Sequence, residues 1–340
     1  MQRCLDLALL GAGNVAPNPM VGAVLVHDGK IIGEGYHQQY GHPHAEVNCL
    51  NSVLPEQEAL ISKSTLYVSL EPCVHFGITP PCSDLIIKKN IPELVIGCRD
   101  SYDEVNGKGI EKLRAAGIKV TTNVMEKESL DINRRFFTFH QYQRPYVILK
   151  WAETRDGKIS SGGKERIFIS NEYSNRLVHK WRTEEAAIMV GTNTALLDDP
   201  ALTARLWPGK DPVRIVIDLQ LKLPASLKLF DGTVITIVFN QIKQEEGGML
   251  SYHKVEAALP LVPQIVKILH QLRIQSVLVE GGAKLLQSFI DAGLWDEARV
   301  IGNRQLAIGN GVDAPTLKDS HLIQTQEIET DIINIYQHQH

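Results

Sequence analysis

Long hydrophobic runs and an excess of basic charge are both missing from this chain. No stretch approaches the roughly 18 apolar residues of a membrane span, and the opening MQRCLDLALLGAGN lacks the charged and apolar regions of a signal peptide. The formal net charge of −4 provides no basic surface for nucleic acid. We therefore expect a cytoplasmic protein that acts on neither membranes nor nucleic acids, although a few arginines suffice to bind one phosphorylated small molecule.

Cysteine is also scarce, and all five residues lie within the first 98 positions: Cys4, Cys49, Cys73, Cys82 and Cys98. An odd and scattered set does not suit a disulfide framework, so a metal site or buried thiols are the better interpretations. The second half also lacks a G-x-G-x-x-G fingerprint after a strand, which disfavours a Rossmann-type dinucleotide domain there. The two halves are therefore expected to carry separate chemistry.

At 340 residues the chain is long enough for two domains, and strand and helix patterns alternate through both halves. In the first half, VGAVLVHDGKIIGEGY predicts two strands joined by Asp28-Gly29, a strong hairpin signal. The pattern restarts at Pro145 before the strand YVILKWA, so we predict two α/β domains, 1–143 and 144–340. The terminal YQHQH is expected to be exposed, and the oligomeric state stays open, a homo-oligomer included.

The sharpest pattern is His44-Ala45-Glu46, followed by Pro72-Cys73 and then Cys82. One imidazole and two thiolates can hold Zn²⁺ with a fourth position open for water, as in catalytic zinc sites, and the metal lowers the pKa of that water. Glu46, two residues from a ligand, is predicted to be the catalytic proton carrier. Zinc nucleobase deaminases share this layout, with two residues between the cysteines where this chain has eight. Taken singly, each residue could equally be a core histidine or an inert thiol.

Two longer runs, PNPMVGAVLVHDGKIIGEGYHQQYGHPHAEV and SLEPCVHFGITPPCSDLI, resemble the bifunctional riboflavin-biosynthesis deaminase/reductase family. The resemblance implies an N-terminal cytidine-deaminase-like three-layer α/β/α domain that deaminates 2,5-diamino-6-ribosylamino-4(3H)-pyrimidinone 5′-phosphate. It also implies that Asn18, His37 and His75 bind this substrate. Two departures stand out: Ile78 occupies a position where a basic residue is expected near the phosphate, and SYDEVNGKG replaces an Asp-Pro-Asn-Pro run. Asp100 and Lys108 of that region are kept.

In the second half, Val279-Glu280-Gly281-Gly282 is a Gly-rich strand-to-helix turn that could approach a phosphate, although most such pairs only make a tight turn. The runs KWAETRDGKIS, HKWRTEEAAIMVGTNTALLDDPALTAR and VEGGAKLLQSFIDAGLWDE resemble the reductase half of the same family. This implies a C-terminal dihydrofolate-reductase-like α/β domain that uses NADPH. The resemblance assigns five residues to the cofactor: Ala152, Phe168, Thr194, Asp198 and Gly282. It assigns five more to the phosphorylated substrate: Arg166, Arg182, Leu202, Arg205 and Glu280.

Together these patterns favour an enzyme that deaminates a small phosphorylated pyrimidine with zinc and then reduces the ribosyl chain with NADPH. One alternative keeps only the reductase and makes the first half a deaminase-fold zinc-binding module. A second makes the first half a regulatory module with structural zinc, and the intact Glu46 argues against it because a structural site needs no proton carrier. The third is a nucleic-acid deaminase, against which the acidic charge balance weighs.

Overall fold

The computed structural model describes residues 1–76, 80–101, 105–163 and 167–339. Ile78, Arg166 and part of the SYDEVN run lie outside the described residues, so the expectations for them stay predictions. The chain divides into two compact units, Met1–Gln143 (unit 1) and Arg144–His340 (unit 2). No helix in the described ranges is both long enough and apolar enough to cross a membrane.

Unit 1 is built on one five-stranded sheet covered by helices. Its strands are β1 (Gly22–His27), β2 (Lys30–Tyr36), β3 (Thr65–Leu70), β4 (Glu93–Cys98) and β5 (Lys119–Thr121). Its helices are α1 (Gln2–Leu9), α2 (Ala45–Asn51), a 3₁₀ helix (Pro55–Lys63), α3 (Cys82–Lys88), α4 (Lys108–Ala115), α5 (Glu126–Ile132) and α6 (Arg134–Gln141). The strand order is β2-β1-β3-β4-β5. β1 is antiparallel to both β2 and β3, whereas β3, β4 and β5 are parallel.

Helices pack on both faces of this sheet, which gives the three α/β/α layers that the resemblance implies. Alternate residues of β1 point to opposite faces: Leu25 packs in a cluster with residues of α2, α3 and α4, and Val24 packs against α1. Fully burying a side chain such as Leu25 contributes about 1.5–3 kcal/mol. The β1–β2 hairpin turns where the sequence predicts, because Asp28 and Gly29 both have positive φ, 46° and 73°.

Unit 2 is built on a larger, mostly parallel sheet. Its strands are β6 (Tyr146–Glu153), β7 (Lys158–Ser160), β8 (Ala187–Gly191), β9 (Val213–Ile217), β10 (Thr236–Asn240), β11 (Leu250–Lys254), β12 (Ser276–Val279), β13 (Glu297–Asn303), β14 (Val312–Asp313), β15 (Ser320–Ile328) and β16 (Asp331–His338). Its helices are α7 (Glu172–Glu184), α8 (Thr192–Asp198), a 3₁₀ helix (Lys228–Phe230), α9 (Leu261–Gln271) and α10 (Ala283–Asp291). The main sheet has the order β11-β10-β9-β8-β12-β6-β13-β16-β15, and β7 pairs with β14 apart from it.

The strands from β11 to β13 in that order are all parallel, and β16 and β15 complete the sheet as an antiparallel hairpin. A parallel sheet that ends in an antiparallel hairpin is the dihydrofolate-reductase-like arrangement that the resemblance implies. Val147, Leu149, Met189 and Val277 are fully buried in its core. Burial on both faces explains why these strands appear in the sequence as nearly continuous apolar runs.

The C-terminal hairpin corrects the expectation that YQHQH is exposed. Tyr336 and His338 lie in β16, which pairs along its length with β13 and is only partly exposed. The centroid of the His338 ring lies 4.7 Å from that of the fully buried Trp295. β15 is exposed along most of its length, so its sequence lacks the alternating apolar pattern from which a strand is recognised.

Candidate active sites

Three side chains that can ligate a metal meet in unit 1. His44 directly precedes α2, Cys73 follows β3, and Cys82 is the first residue of α3. The His44 Nδ1 atom lies 3.6 Å from Cys73 Sγ and 3.4 Å from Cys82 Sγ, and the three donor atoms lie within 4.8 Å of one another. A tetrahedral zinc ion with bonds of about 2.0 Å to nitrogen and 2.3 Å to sulfur separates these ligand atoms by about 3.5 Å. The donor set and its spacing therefore fit zinc.

Helix α2 brings His44 to this place because a glycine lies where the helix crosses β2. A Cβ atom on Gly35 would lie 2.2 Å from the backbone nitrogen of Cys49. Any side chain at this position would push α2, and with it His44 and Glu46, away from the sheet.

The long spacer between the two cysteines ends in a specific contact with the first one. The backbone N–H of Cys82 donates to Cys73 Sγ at 3.3 Å, and that of Ser83 donates to the Cys73 carbonyl oxygen at 3.2 Å. These N–H groups belong to the first turn of α3 and have no acceptor within the helix. Cys73 therefore supplies acceptors for the start of the helix that carries the second thiol.

The hydrogen bond between the two thiols shifts their pKa values in opposite directions. The hydrogen bond with Cys82 is the main cause that lowers the pKa of Cys73, to about 4; His44 acts in the same direction and burial acts against it. The same hydrogen bond, followed by burial, raises the pKa of Cys82. Zinc binds thiolates and not thiols, so metal binding would release any proton held by these two sulfurs.

Glu46 is buried beside these donors. It lies in the first turn of α2 and is 3% exposed. Burial raises its pKa, and the neighbouring Cys73 adds to this effect while His44 opposes it. A carboxyl group whose pKa lies above its usual range can accept and return a proton near neutral pH.

Two of the three predicted pocket residues of unit 1 are joined to each other, and one of them, His37, lies beside His44. Asn18 Nδ2 donates to His37 Nε2 at 3.1 Å, and His37 Nδ1 lies 3.1 Å from the carbonyl oxygen of Pro43. The centroid of the His37 ring lies 5.4 Å from that of His44. Burial lowers the pKa of His37, which favours the neutral ring that this pair of hydrogen bonds requires. His75 is half-buried two residues after Cys73.

In unit 2, three of the predicted cofactor residues lie at or just after the ends of neighbouring parallel strands. Ala152 lies near the end of β6, Thr194 lies in α8 just after β8, and Gly282 follows β12; these strands are adjacent in the order β8-β12-β6. A Cβ atom on Gly281 would lie 2.9 Å from Thr194 Cγ2, and Gly282 has a φ of 73°. The Gly-rich turn therefore packs closely on α8, at the edge of the sheet where parallel α/β proteins bind ligands.

The other two predicted cofactor residues lie at the surface. Phe168 is 77% exposed and borders a cavity of about 490 Å³ that Asn303 and Leu306 also line. Asp198 is the last residue of α8 and is half-buried. The Phe168 ring is thus largely exposed beside this cavity, where a flat ligand could contact it.

A buried ion pair joins two residues that the resemblance assigns to the substrate. Arg182 Nε and Nη2 donate to the two carboxylate oxygens of Glu280 at 2.8 and 2.7 Å, and Arg182 Nη1 donates to the Thr203 carbonyl oxygen at 2.9 Å. Lys150 Nζ lies 4.0 Å from Glu280 Oε2. Burial favours the neutral acid, but Arg182 and Lys150 outweigh it and lower the pKa of Glu280 to about 2. The fork of Arg182 is thus occupied by Glu280.

The loop after α8 carries the remaining two described substrate residues. Arg205 is exposed, and the next residue, Leu206, donates its backbone N–H to His179 Nδ1 at 3.5 Å. Burial, followed by the charges of Arg182 and Arg205, lowers the pKa of His179 to about 4. Leu202 has a φ of 52°, and its side chain is buried in an apolar cluster. A ligand contact at Leu202 would therefore have to use the backbone.

Sequence reasoning did not single out Lys150 or His179, although both touch this network. Lys150 is a lone charge in the apolar strand YVILKWA, and a buried lysine needs a partner such as a carboxylate. That signal could have indicated a polar site at the end of β6. His179 carried no comparable signal, because a histidine on a helix is most often an ordinary core or surface residue.

Two family models match the chain, one in each unit. Residues 1–98 match the cytidine and deoxycytidylate deaminase zinc-binding region, and residues 145–332 match the RibD C-terminal domain. Among curated proteins, the riboflavin biosynthesis protein RibD of Aquifex aeolicus is 39% identical over 97% of this chain and 94% of its own length. That of Escherichia coli is 34% identical over 87% of this chain and 84% of its own length.

Solved structures agree over nearly the whole chain. A deaminase/reductase from Thermotoga maritima, named for diaminohydroxyphosphoribosylaminopyrimidine and 5-amino-6-(5-phosphoribosylamino)uracil, superposes with a TM-score of 0.90. It is 35% identical and covers 99% of this chain and 97% of that one. Acinetobacter baumannii RibD gives a TM-score of 0.89 at 29% identity, with the same coverage.

Both matched regions occur in one chain, in the order found in these relatives. The chain is therefore a bifunctional enzyme with a zinc-dependent hydrolase and an oxidoreductase activity, which disfavours a reductase joined to an inactive zinc-binding module. On the shared length, identity and fold, it belongs to the RibD family of riboflavin biosynthesis proteins.

Proposed function

We propose that this enzyme catalyses two consecutive steps of riboflavin biosynthesis. The first is deamination of diaminohydroxyphosphoribosylaminopyrimidine, and the second is reduction of 5-amino-6-(5-phosphoribosylamino)uracil to the ribitylamino product. Residues 1–143 carry the deaminase and residues 144–340 the reductase. The observation that carries this proposal is the meeting of His44, Cys73 and Cys82 beside the buried Glu46.

In the deaminase, the protein's own part is to move a proton and hold the ring. When bound, zinc supplies a Lewis acid that makes water a nucleophile near neutral pH. Glu46 accepts a proton from the attacking water and delivers it to the ring nitrogen. It then carries a second proton, from the added hydroxyl group, to the amino group, which departs as ammonia while the carbonyl forms. Asn18 donates through Nδ2 to His37, which leaves Asn18 Oδ1 as the acceptor that this pair offers to the substrate.

In the reductase, the chemistry belongs to the cofactor and the protein supplies orientation. When bound, NADPH supplies the hydride. Thr194 and the Gly281–Gly282 turn bind the cofactor, with backbone N–H groups at the start of α10 directed to phosphate. Because Arg182 is held by Glu280, we assign the substrate phosphate to the exposed Arg205. Its planar guanidinium can donate two charge-assisted hydrogen bonds at once.

We infer a cytoplasmic enzyme whose partners are small molecules. Cys4, Cys49 and Cys98 are free thiols in unit 1, as is usual in a reducing compartment. The phosphorylated pyrimidine needs only a few cationic side chains, and Arg205 is the one that we assign to its phosphate. Assembly into a homo-oligomer is compatible with this function and is not required by it.

Mass spectrometry of the products tests both steps in one experiment. The purified enzyme is given the diamino-pyrimidine phosphate without NADPH and then with it. We expect a change of about +1 Da from replacement of the amino group, followed by about +2 Da on addition of NADPH. If only pre-deaminated substrate gains the +2 Da, the enzyme is a reductase alone and the deaminase assignment is wrong.

A further inference from the structure

A buried carboxylate in unit 1 has four hydrogen bonds that the proposed chemistry does not use. Glu71 is 4% exposed and follows β3 directly. Its Oε2 accepts the backbone N–H groups of Asp100 and Gly107 at 3.2 and 3.0 Å. Its Oε1 accepts those of Gly109 and Ile110 at 2.9 and 3.1 Å. A buried carboxylate is costly unless hydrogen-bonded, so such complete coordination points to a definite task.

Three of the four donors belong to the start of α4. That helix begins after Gly107, which has no side chain to cap it, and the first N–H groups of a helix have no acceptor within the helix. Glu71 reaches in from a different segment to fill this role, with a negative charge at the positive end of the helix dipole. The helix and the segment after β3 are thereby joined through one side chain.

The backbone on either side of Glu71 is fixed as well. Its own N–H donates to the Cys98 carbonyl oxygen at 3.0 Å. On its other side, Pro72 lies so close to α4 that a Cβ atom on Gly109 would be 2.4 Å from the Pro72 carbonyl oxygen. The next residue is Cys73, whose sulfur must lie within reach of both His44 and Cys82. The backbone between Glu71 and Cys73 therefore has little conformational freedom.

We propose that Glu71 is a positioning residue for the metal centre, which holds Cys73 in ligating position by anchoring its segment to α4. The inference rests on the zinc assignment in the proposed function, and it goes beyond that assignment because Glu71 is not one of the three proposed ligands. Outer residues that orient metal ligands typically change metal affinity by about 10- to 100-fold when mutated.

Glu71→Gln tests the idea, since it keeps the size of the side chain but turns one acceptor oxygen into a donor that faces backbone N–H groups. The full-length protein is loaded with zinc, and its zinc affinity is measured at 25 °C by competition with a chromogenic chelator, without substrate. We expect the affinity to fall about 10- to 100-fold. We also expect the absorption bands of the Co²⁺-substituted protein, which report thiolate ligation, to change. Glu71→Asp keeps the charge and should recover part of both properties.

Glu93→Gln is the matched control. Glu93 is a carboxylate at the start of β4 that pairs with Lys119 at 2.8 Å on the surface, so its loss should leave zinc affinity within about twofold of wild type. A Glu71→Gln protein that melts earlier but keeps wild-type zinc affinity and Co²⁺ bands would show that Glu71 only caps α4, and the proposal would fail.

If Glu71→Gln does not fold, Gly109→Ala takes its place. The added methyl group would lie 2.4 Å from the Pro72 carbonyl oxygen and 3.0 Å from Glu71 Oε1, so it displaces the anchored segment while Glu71 keeps its charge. The same loss of zinc affinity is expected, and wild-type affinity in this folded variant overturns the proposal. The zinc affinity of the wild-type protein separates failure of the zinc assignment from failure of the role proposed for Glu71. Absence of zinc binding by the wild-type protein removes both the zinc assignment and the role of Glu71, whereas equal binding by wild type and variants removes only the latter.

Discussion

The two units assemble their sites from different lengths of chain and balance their charges in different ways. In unit 1 the metal-ligating side chains and Glu46 all come from residues 44 to 82. In unit 2 the network of Lys150, Arg182 and Glu280 joins a strand, a distant helix and the end of another strand.

The pKa values of the buried acidic groups also differ between the two sites. The pKa of Glu46 is raised, mainly by burial, and that of Cys82 is raised, mainly by its hydrogen bond with Cys73. Both groups therefore favour a bound proton, or a metal cation in its place. Glu280, in contrast, is held ionised by the protein's own Arg182 and Lys150, which lower its pKa to about 2. The comparison teaches that unit 1 is organised to receive a charge, whereas unit 2 has already neutralised its own. Mutations in the two units should therefore have different effects on metal binding, activity and stability.

The largest effect is expected from removing a metal ligand. Cys82→Ala should abolish both zinc binding and deamination, because a site with three protein ligands cannot hold the metal with two. Reduction of pre-deaminated substrate should continue, since its residues lie in unit 2. Metal analysis of the purified variant and the two activity assays check this. Full zinc occupancy in Cys82→Ala would contradict the ligand assignment.

Glu46→Gln should separate proton transfer from metal binding. The variant is expected to keep zinc and to lose deamination by about 10²- to 10⁴-fold, because it removes the proton carrier and not a ligand. The reductase activity of the same preparation is the internal control. Deamination that stays within about tenfold of wild type would rule out the role given to Glu46.

How much of each site the sequence alone predicts depends on whether its residues can be recognised without knowing their partners. The zinc cluster was predicted as a set of ligands because chemistry restricts which residues can ligate zinc, and the eight-residue spacer only lengthens the loop between Cys73 and Cys82. The β1–β2 hairpin was predicted because Asp28-Gly29 favours one turn geometry. The hairpin signal is local, and the ligands, although up to 38 residues apart, are recognised by residue type without knowledge of their contacts.

Features that depend on distant partners were missed or only implied by the resemblance. The occupation of the Arg182 fork by Glu280 cannot be inferred from two segments almost a hundred residues apart. Glu71 belongs to a conspicuous motif, but its role depends on backbone N–H groups beyond residue 99, and backbone groups carry no sequence signal. The β15–β16 hairpin was missed because its outer strand is exposed and polar.

Arg205→Ala tests whether unit 2 keeps a free cation for the substrate. Losing a bidentate charge contact should cost about 2–4 kcal/mol in transition-state binding, roughly 30- to 1,000-fold in kcat/KM of the reductase. Arg176→Ala, which removes an exposed arginine from α7, is the matched control and should have little effect. If kcat/KM for Arg205→Ala stays within threefold of wild type, Arg205 lies outside the substrate site; a fall in NADPH affinity alone would indicate a cofactor contact.

The smallest effect expected is a pH dependence of stability that His179 introduces into unit 2. Burial, aided by Arg182 and Arg205, lowers the pKa of His179 to about 4, whereas an unfolded histidine titrates near about 6.5. Between these values the unfolded chain binds a proton that the folded chain refuses, so stability falls as the pH is lowered through this window. The contribution can reach about 1.4 kcal/mol per pH unit.

His179→Gln provides the comparison, because glutamine keeps a polar side chain near Leu206 but cannot titrate. The free energy of unfolding of both proteins is measured by urea denaturation at several pH values from 6.5 to 4, following a signal of unit 2. Carboxylates titrate in both proteins, so only the difference between the two slopes reports on His179. We expect the wild-type slope to be the steeper one. Parallel slopes would mean that His179 binds a proton as readily in the folded as in the unfolded protein, so that burial, Arg182 and Arg205 do not lower its pKa.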